Sequence, residues 1–93
     1  MRENIRVLNV SAYKTDGWWE WNYWNTVAEI SVEQFESFKS PRQTIKFVRN
    51  ELGLLSEHSK GRVACEDDGY NLLIVDKANN MPIFSIEYGR VLN

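Results

Sequence analysis

Ser40-Pro41-Arg42-Gln43-Thr44-Ile45-Lys46-Phe47-Val48-Arg49-Asn50-Glu51-Leu52-Gly53 decides the fold, because this stretch carries both ends of a helix. Ser40 is a good N-cap, Pro41 suits the first helical position, and Gln43 stands where a capping box closes. Gly53 offers a left-handed C-cap, so the spacing predicts a helix that runs to Leu52. Ile45, Val48 and Leu52 recur at helical spacing, and Phe47 widens the stripe into one amphipathic face.

On either side of this helix the pattern is that of strands. Residues 5–14 are rich in β-formers and alternate imperfectly, and Asp16-Gly17 tolerates the positive φ angles of a tight hairpin turn. Residues 18–30 then return as a long second strand. Ser31-Val32-Glu33-Gln34 has capping-box spacing, which predicts a short turn of helix to about Phe38. After Gly53 three further strands are expected, at 62–67, 70–77 and 83–88, turning at Asp68-Gly69 and Asn79-Asn80 with Pro82 at the start of the last. The order β-β-α-β-β-β predicts an α+β fold: a five-stranded, mainly antiparallel sheet with one main helix packed on one face. The expected core is Leu8, Val10, Ala12, Ile30, Ile45, Val48, Leu52, Val63, Cys65, Leu73, Val75, Phe84 and Ile86, with part of the tryptophan cluster.

Composition bounds the rest. The 93 residues suit a single domain spanning 1–93, and 43% apolar, 26% charged and 13% aromatic residues describe a folded globule rather than a disordered chain. No apolar run approaches the roughly 18 residues of a membrane span. A net charge of −2 is not that of a nucleic-acid-type polycation. The amino terminus leads straight into a strand pattern with no apolar leader, so the cytoplasm is the expected compartment and Cys65, the single cysteine, is expected to be reduced.

The most unusual segment is Trp18-Trp19-Glu20-Trp21-Asn22-Tyr23-Trp24. Strict alternation sends Trp19, Trp21 and Tyr23 to one face and Trp18, Glu20, Asn22 and Trp24 to the other. A bulge near Asn25 would swap the two sets further along, so which set is buried stays open. Four tryptophans within seven residues exceed what one small core needs. The solvent-facing set is therefore a candidate binding surface, because Trp and Tyr are favoured interface anchors. Core packing with cross-strand aromatic pairs is the competing reading.

Charge is segregated along the chain. Lys39, Arg42, Lys46 and Arg49 recur at steps of three, four and three, forming one stripe beside the apolar face of the helix. From residue 63 to residue 89 the balance reverses: Glu66, Asp67, Asp68, Asp76 and Glu87 stand against Lys77 alone. Two uses follow. Glu66, Asp67 and Asp68 would orient a protein partner held by the aromatic set. Alternatively, the basic stripe would contact phosphates while bases stack on exposed tryptophans, which requires the two surfaces to be contiguous.

Catalytic constellations are absent. His58 is the single histidine, which excludes a multi-histidine metal site, and Glu66-Asp67-Asp68-Gly69 lacks the spacing of an EF-hand loop. A Cys65–His58 dyad is conceivable, but Cys65 alternates with Val63 and reads as a buried apolar residue. There is no phosphate-binding glycine loop and no nucleophile elbow, so no catalytic residue, metal or cofactor is expected.

Ser40-Pro41-Arg42, Leu55-Ser56, Gly61-Arg62-Val63, Glu66-Asp67-Asp68-Gly69-Tyr70-Asn71, Pro82-Ile83-Phe84 and Glu87-Tyr88-Gly89 together resemble small uncharacterised accessory proteins of bacterial viruses, as does the stretch from Asp16 to Trp24. The resemblance implies an accessory protein in a bacterial host cytoplasm, of the kind that binds and disables a host or defence factor. The combined expectation is a non-enzymatic protein-binding module whose partner is a larger host or viral protein. Leu72-Leu73-Ile74-Val75 is apolar on both faces, which also suggests a second copy covering the open face of the sheet as a homodimer.

Overall fold

A computed structural model of the chain describes residues 3–58 and 60–93, with the backbone alone at 12–15, 18–19, 21–24 and 60. Five strands, β1 (Ile5–Thr15), β2 (Trp18–Ile30), β3 (Val63–Asp67), β4 (Leu72–Asp76) and β5 (Met81–Ile86), form one sheet in the order β2-β1-β5-β4-β3. Every neighbouring pair is antiparallel. Three α-helices accompany them: α1 (Val32–Glu36), α2 (Pro41–Asn50) and α3 (Gly89–Leu92). A radius of gyration of 12.8 Å suits a single domain of this length, and the 41 × 26 × 21 Å extents show it is elongated.

Local chemistry sets the element ends. The Ser31 hydroxyl accepts from the Gln34 N–H at 3.0 Å and the Ser40 hydroxyl from the Gln43 N–H at 3.3 Å, so both serines cap as their spacing predicts. The Gln43 side chain reaches back to the Lys39 N–H at 2.6 Å, one residue before the position a capping box uses. Helix α2 ends at Asn50 rather than Leu52. The chain then turns through Gly53 at φ +67, and the Leu54 N–H donates back to the Val48 carbonyl at 3.2 Å. Asp16 and Gly17 take φ of +51 and +85 in the first hairpin, and Asn80 takes +57 in the last.

The main core lies between the sheet and the helices. Ile5, Val7, Ile30, Val32, Val48, Leu55, Val63, Ile74 and Ile86 form one buried cluster. Leu8 and Val10 are also buried but form a separate cluster, because they alternate with Ile5 and Val7 along β1 and so lie on the sheet face away from α2. The expected core therefore needs correcting. Ile5, Val7, Val32, Leu55 and Ile74 belong to it, whereas Ile45, Leu52, Cys65, Leu73 and Phe84 are half-buried. The Ala12 side chain lies outside the described residues. On α2 the buried pair is Thr44 and Val48, so the inward face is rotated toward Thr44 relative to the expected stripe.

Strand β1 runs eleven residues but meets β5 only at Val7, Leu8 and Asn9. Beyond Asn9 it continues with β2 alone, so the first hairpin extends past the rest of the sheet as a two-stranded arm. Two features of β5 account for the parting. Ile83 is an unpaired bulge between Phe84, opposite Ile74, and Pro82, opposite Val75. Pro82 has no N–H to offer a longer ladder with β1.

Candidate functional site

The aromatic strand is β2, and it forms the strand expected, but its phase differs. Register shifts fall between Val7 and Leu8 and between Ser11 and Ala12 on β1, leaving Val27 and Asn22 as the extra residues of β2. The expected bulge near Asn25 is replaced by these two. Trp24, Trp21 and Trp19 are the backbone partners of Val10, Ala12 and Lys14, which are alternate residues of β1. These three tryptophans thus occupy one row of register positions, the row of Leu8 and Val10. Tyr23 and Trp18, opposite Ser11 and Thr15, occupy the other. The extra residue Asn22 breaks the expected grouping of Trp19, Trp21 and Tyr23. The side chains of Trp18, Trp19, Trp21, Tyr23 and Trp24 lie outside the described residues.

The acidic turn is heavily used by the fold. Asp67 Oδ1 accepts from the Gly69 N–H at 2.8 Å and from the Tyr88 hydroxyl at 2.5 Å. Asp68 Oδ1 accepts from the N–H groups of Tyr70 and Asn71 at 2.8 and 2.6 Å, an Asx-type turn closed by two donors. The negative surface expected from residues 63–89 is smaller than its count, because Glu87 pairs with Arg6 at 2.6 Å and Asp76 with Arg62 at 3.4 Å. Glu66 is exposed, and Asp67 and Asp68 stay exposed at the turn.

Behind Asp67 lies an aromatic chain that the sequence reading did not assemble. Tyr88 stacks on Phe35 at 4.8 Å between ring centres, Phe35 meets Phe38 edge-on at 6.0 Å, and Phe38 meets Phe47 at 5.4 Å. These four rings bind α1 and α2 to the end of β5. Their phenylalanines are spaced at three and nine residues, a signal that could have been read as a second aromatic face.

The basic stripe is divided. Arg42 and Lys46 are exposed on α2, and Lys39 is exposed just before it. Arg49 is half-buried, and its Nη1 donates to the carbonyls of Leu55 and His58, at 2.9 Å to the former, so it pins the loop after α2 rather than standing free. Helix α2 lies against β3, one edge of the sheet, whereas β2 is the other edge. Four strand spacings, about 19 Å, separate β2 from β3. The aromatic strand and the basic stripe are thus not neighbours, which removes the contiguity that the phosphate-and-stacking reading requires.

Cys65 and His58 do not form a dyad. His58 Nε2 lies 3.9 Å from Asp76 Oδ2, and Asp76 also accepts from the Ala78 N–H at 2.9 Å. The Cys65 thiol is pushed up to about 11 by burial and then by Asp67 and Glu66, while Thr44 works weakly in the other direction. A thiol so disfavoured as thiolate is a poor nucleophile at neutral pH. Asp76 is held below its usual range, chiefly by the Ala78 backbone N–H and then by Arg62. Among the described residues no group of three His, Cys, Asp or Glu side chains could hold a metal ion, and no helix is long and apolar enough to cross a membrane.

On the sheet face away from α2, Val75 on β4, Leu8 and Val10 on β1 and Ser85 on β5 are buried, and Leu73 is half-buried. Comparison with protein-family models, with curated proteins and with solved structures finds no match to this chain.

Proposed function

We propose that the protein is a non-enzymatic binding module that docks on a larger protein through the arm formed by β1 and β2. The observation that carries this reading is the pairing of β1 with β5 over Val7–Asn9 alone, which leaves the remainder of the hairpin as a ribbon two strands wide. All four tryptophans of the chain lie in that ribbon. A two-stranded ribbon is marginal in water by itself and exposes unpaired backbone along both edges, so a partner surface both stabilises it and is recognised by it. Glu66 and Asp67 end β3 and Asp68 follows them at the turn, at the far edge of the sheet, so they supply long-range steering rather than contacts at the arm. The resemblance to accessory proteins of bacterial viruses points to a host or viral protein as partner, in a bacterial cytoplasm.

The test is affinity capture from bacterial lysate with two baits, the native chain and a variant carrying Trp19→Ser, Trp21→Ser and Trp24→Ser. The expected result is a partner retained by the first and lost by the second, with circular dichroism showing both folded. Identical recovery by both folded baits would overturn the reading.

A further inference from the structure

A second surface lies at the opposite edge of the sheet and does not depend on the arm. A cleft of about 660 Å³ runs between α2 and β3, with Arg42, Ile45, Lys46 and Arg49 on the helical wall and Val63, Cys65 and Lys77 on the other. No carboxylate lines it, and among the described residues none of Arg42, Lys46, Arg49 and Lys77 makes an ion pair. In a chain of net charge −2 this is a concentrated positive field with low-dielectric walls.

The floor of this cleft is an open sheet edge. Strand β3 pairs with β4 on one side and with no strand on the other. The Lys77 N–H donates to the Arg62 carbonyl at 2.7 Å, which fixes the phase of the antiparallel ladder. Residues 62, 64 and 66 therefore point their backbone groups toward β4, and Val63, Cys65 and Asp67 point theirs outward. Among the described residues none supplies a backbone partner to those outward groups. The cleft thus offers a row of donors and acceptors at strand spacing, walled by cations.

We propose that this cleft binds an extended acidic peptide segment of another protein, which adds to β3 as a sixth strand. The main chain of the peptide would bond to Val63 and Cys65, and its carboxylates would meet Arg42, Lys46 and Lys77. Backbone pairing supplies affinity in such strand addition, and the side chains supply selection. The acidic residues Glu66 and Asp67 at the other end of β3 repel the same charges, so the peptide's carboxylates belong at the Val63 end.

The probe is a fluorescein-labelled hexapeptide, Glu-Val-Glu-Val-Thr-Val, with its carboxylates confined to one half, followed by fluorescence polarisation against the full chain. Saturable binding that weakens with salt is expected, and the double charge reversal Arg42→Glu with Lys46→Glu should weaken it by about tenfold or more. The same peptide N-methylated at alternate residues keeps its charge but loses its outward N–H groups, and should bind about tenfold more weakly or worse. Amide exchange gives a readout that charge alone would not move: saturation should protect Val63 and Cys65 and leave Ala64 and Glu66 unchanged. Equal binding of the N-methylated peptide, or protection without that alternation, would overturn the proposal. So would absence of binding at millimolar peptide. Preferential binding of a single-stranded oligodeoxythymidine of equal charge would overturn it in favour of a polyanion surface. A chain with the three Trp→Ser substitutions should bind the peptide normally, which separates this proposal from the fate of the arm.

Discussion

The hydroxyl of Tyr88 donates to Asp67 Oδ1 at 2.5 Å, tying the second residue after β5 to the last residue of β3 across the width of β4. The same ring stacks on Phe35 of α1, so one side chain clamps helix, sheet end and turn. Tyr88→Phe keeps the stacking and removes the bond. The expected loss is about 0.5–1.5 kcal/mol, or a fall in Tm of about 4–8 °C per kcal/mol, read by thermal denaturation.

The same bond sets an alkaline limit. The Tyr88 phenol is pushed up to about 12, chiefly by its bond to Asp67, then by desolvation and by the charges of Asp67 and Asp68. A raised folded-state value means that the stabilisation is complete below the ordinary tyrosine range and is lost as pH rises toward that value. Ultraviolet titration of the folded chain should show Tyr88 ionising late, so that Tyr88→Phe removes one tyrosine's amplitude from the late phase. A late phase of unchanged amplitude after the substitution would assign it elsewhere.

Gly89 is required by contact rather than by backbone angle. Its N–H donates to the Tyr70 carbonyl at 2.7 Å, and a Cβ built on it would stand 2.9 Å from the Tyr70 Cα. Backbone cannot yield as a flexible side-chain end can, so Gly89→Ala should cost about 1–3 kcal/mol, measured as a lower urea midpoint with unchanged slope.

Cys65 should react slowly for a partly exposed thiol. With its value raised from 9.0 to about 11, the thiolate fraction at mildly alkaline pH is about a hundredfold below that of a free cysteine. Alkylation by iodoacetamide should accelerate by about that factor on unfolding in urea. Equal rates in both states would mean that burial and the neighbouring carboxylates do not control the thiol.

Asp76 should make the fold acid-sensitive. Its carboxylate is held low by the Ala78 N–H and by Arg62, so its contribution is present above the ordinary carboxylate range and is lost as pH falls through the lowered value. Asp76→Asn should therefore reduce the urea midpoint at neutral pH, and the two chains should converge in acid. A difference that persists in acid would assign the effect to packing rather than charge.

What the sequence disclosed was mostly what is local. The Ser31 and Ser40 caps, the Asp16-Gly17 and Asn79-Asn80 turns and the five strands each depend on residues within a few positions of one another. The face of β4 was ambiguous because both of its sides are apolar, and Ile74 proved more deeply buried than Leu73. The short β1–β5 seam could not be read, because it pairs residues nearly eighty positions apart and is ended by a bulge at Ile83 that has no signature of its own. Spacing placed Arg49 correctly on the stripe, but the carbonyls that capture it belong to the following loop. The phase of the aromatic strand was missed because single unpaired residues, Asn22 and Val27, reset an alternation that sequence can only extrapolate. The cleft beside β3 was invisible for a topological reason: nothing local says that β3 is an edge.

A straight thirteen-residue strand at the rim of a sheet would be an open template for polymerisation between copies. The bulges at Asn22 and Val27 interrupt β2 at two points and add local twist, so no long flat run of its outer rim can be copied by another chain. The opposite rim, β3, is only five residues long, too short to template an extended ladder between copies. The two outer margins of the sheet are thus guarded against copying by different means, one by broken geometry and the other by brevity.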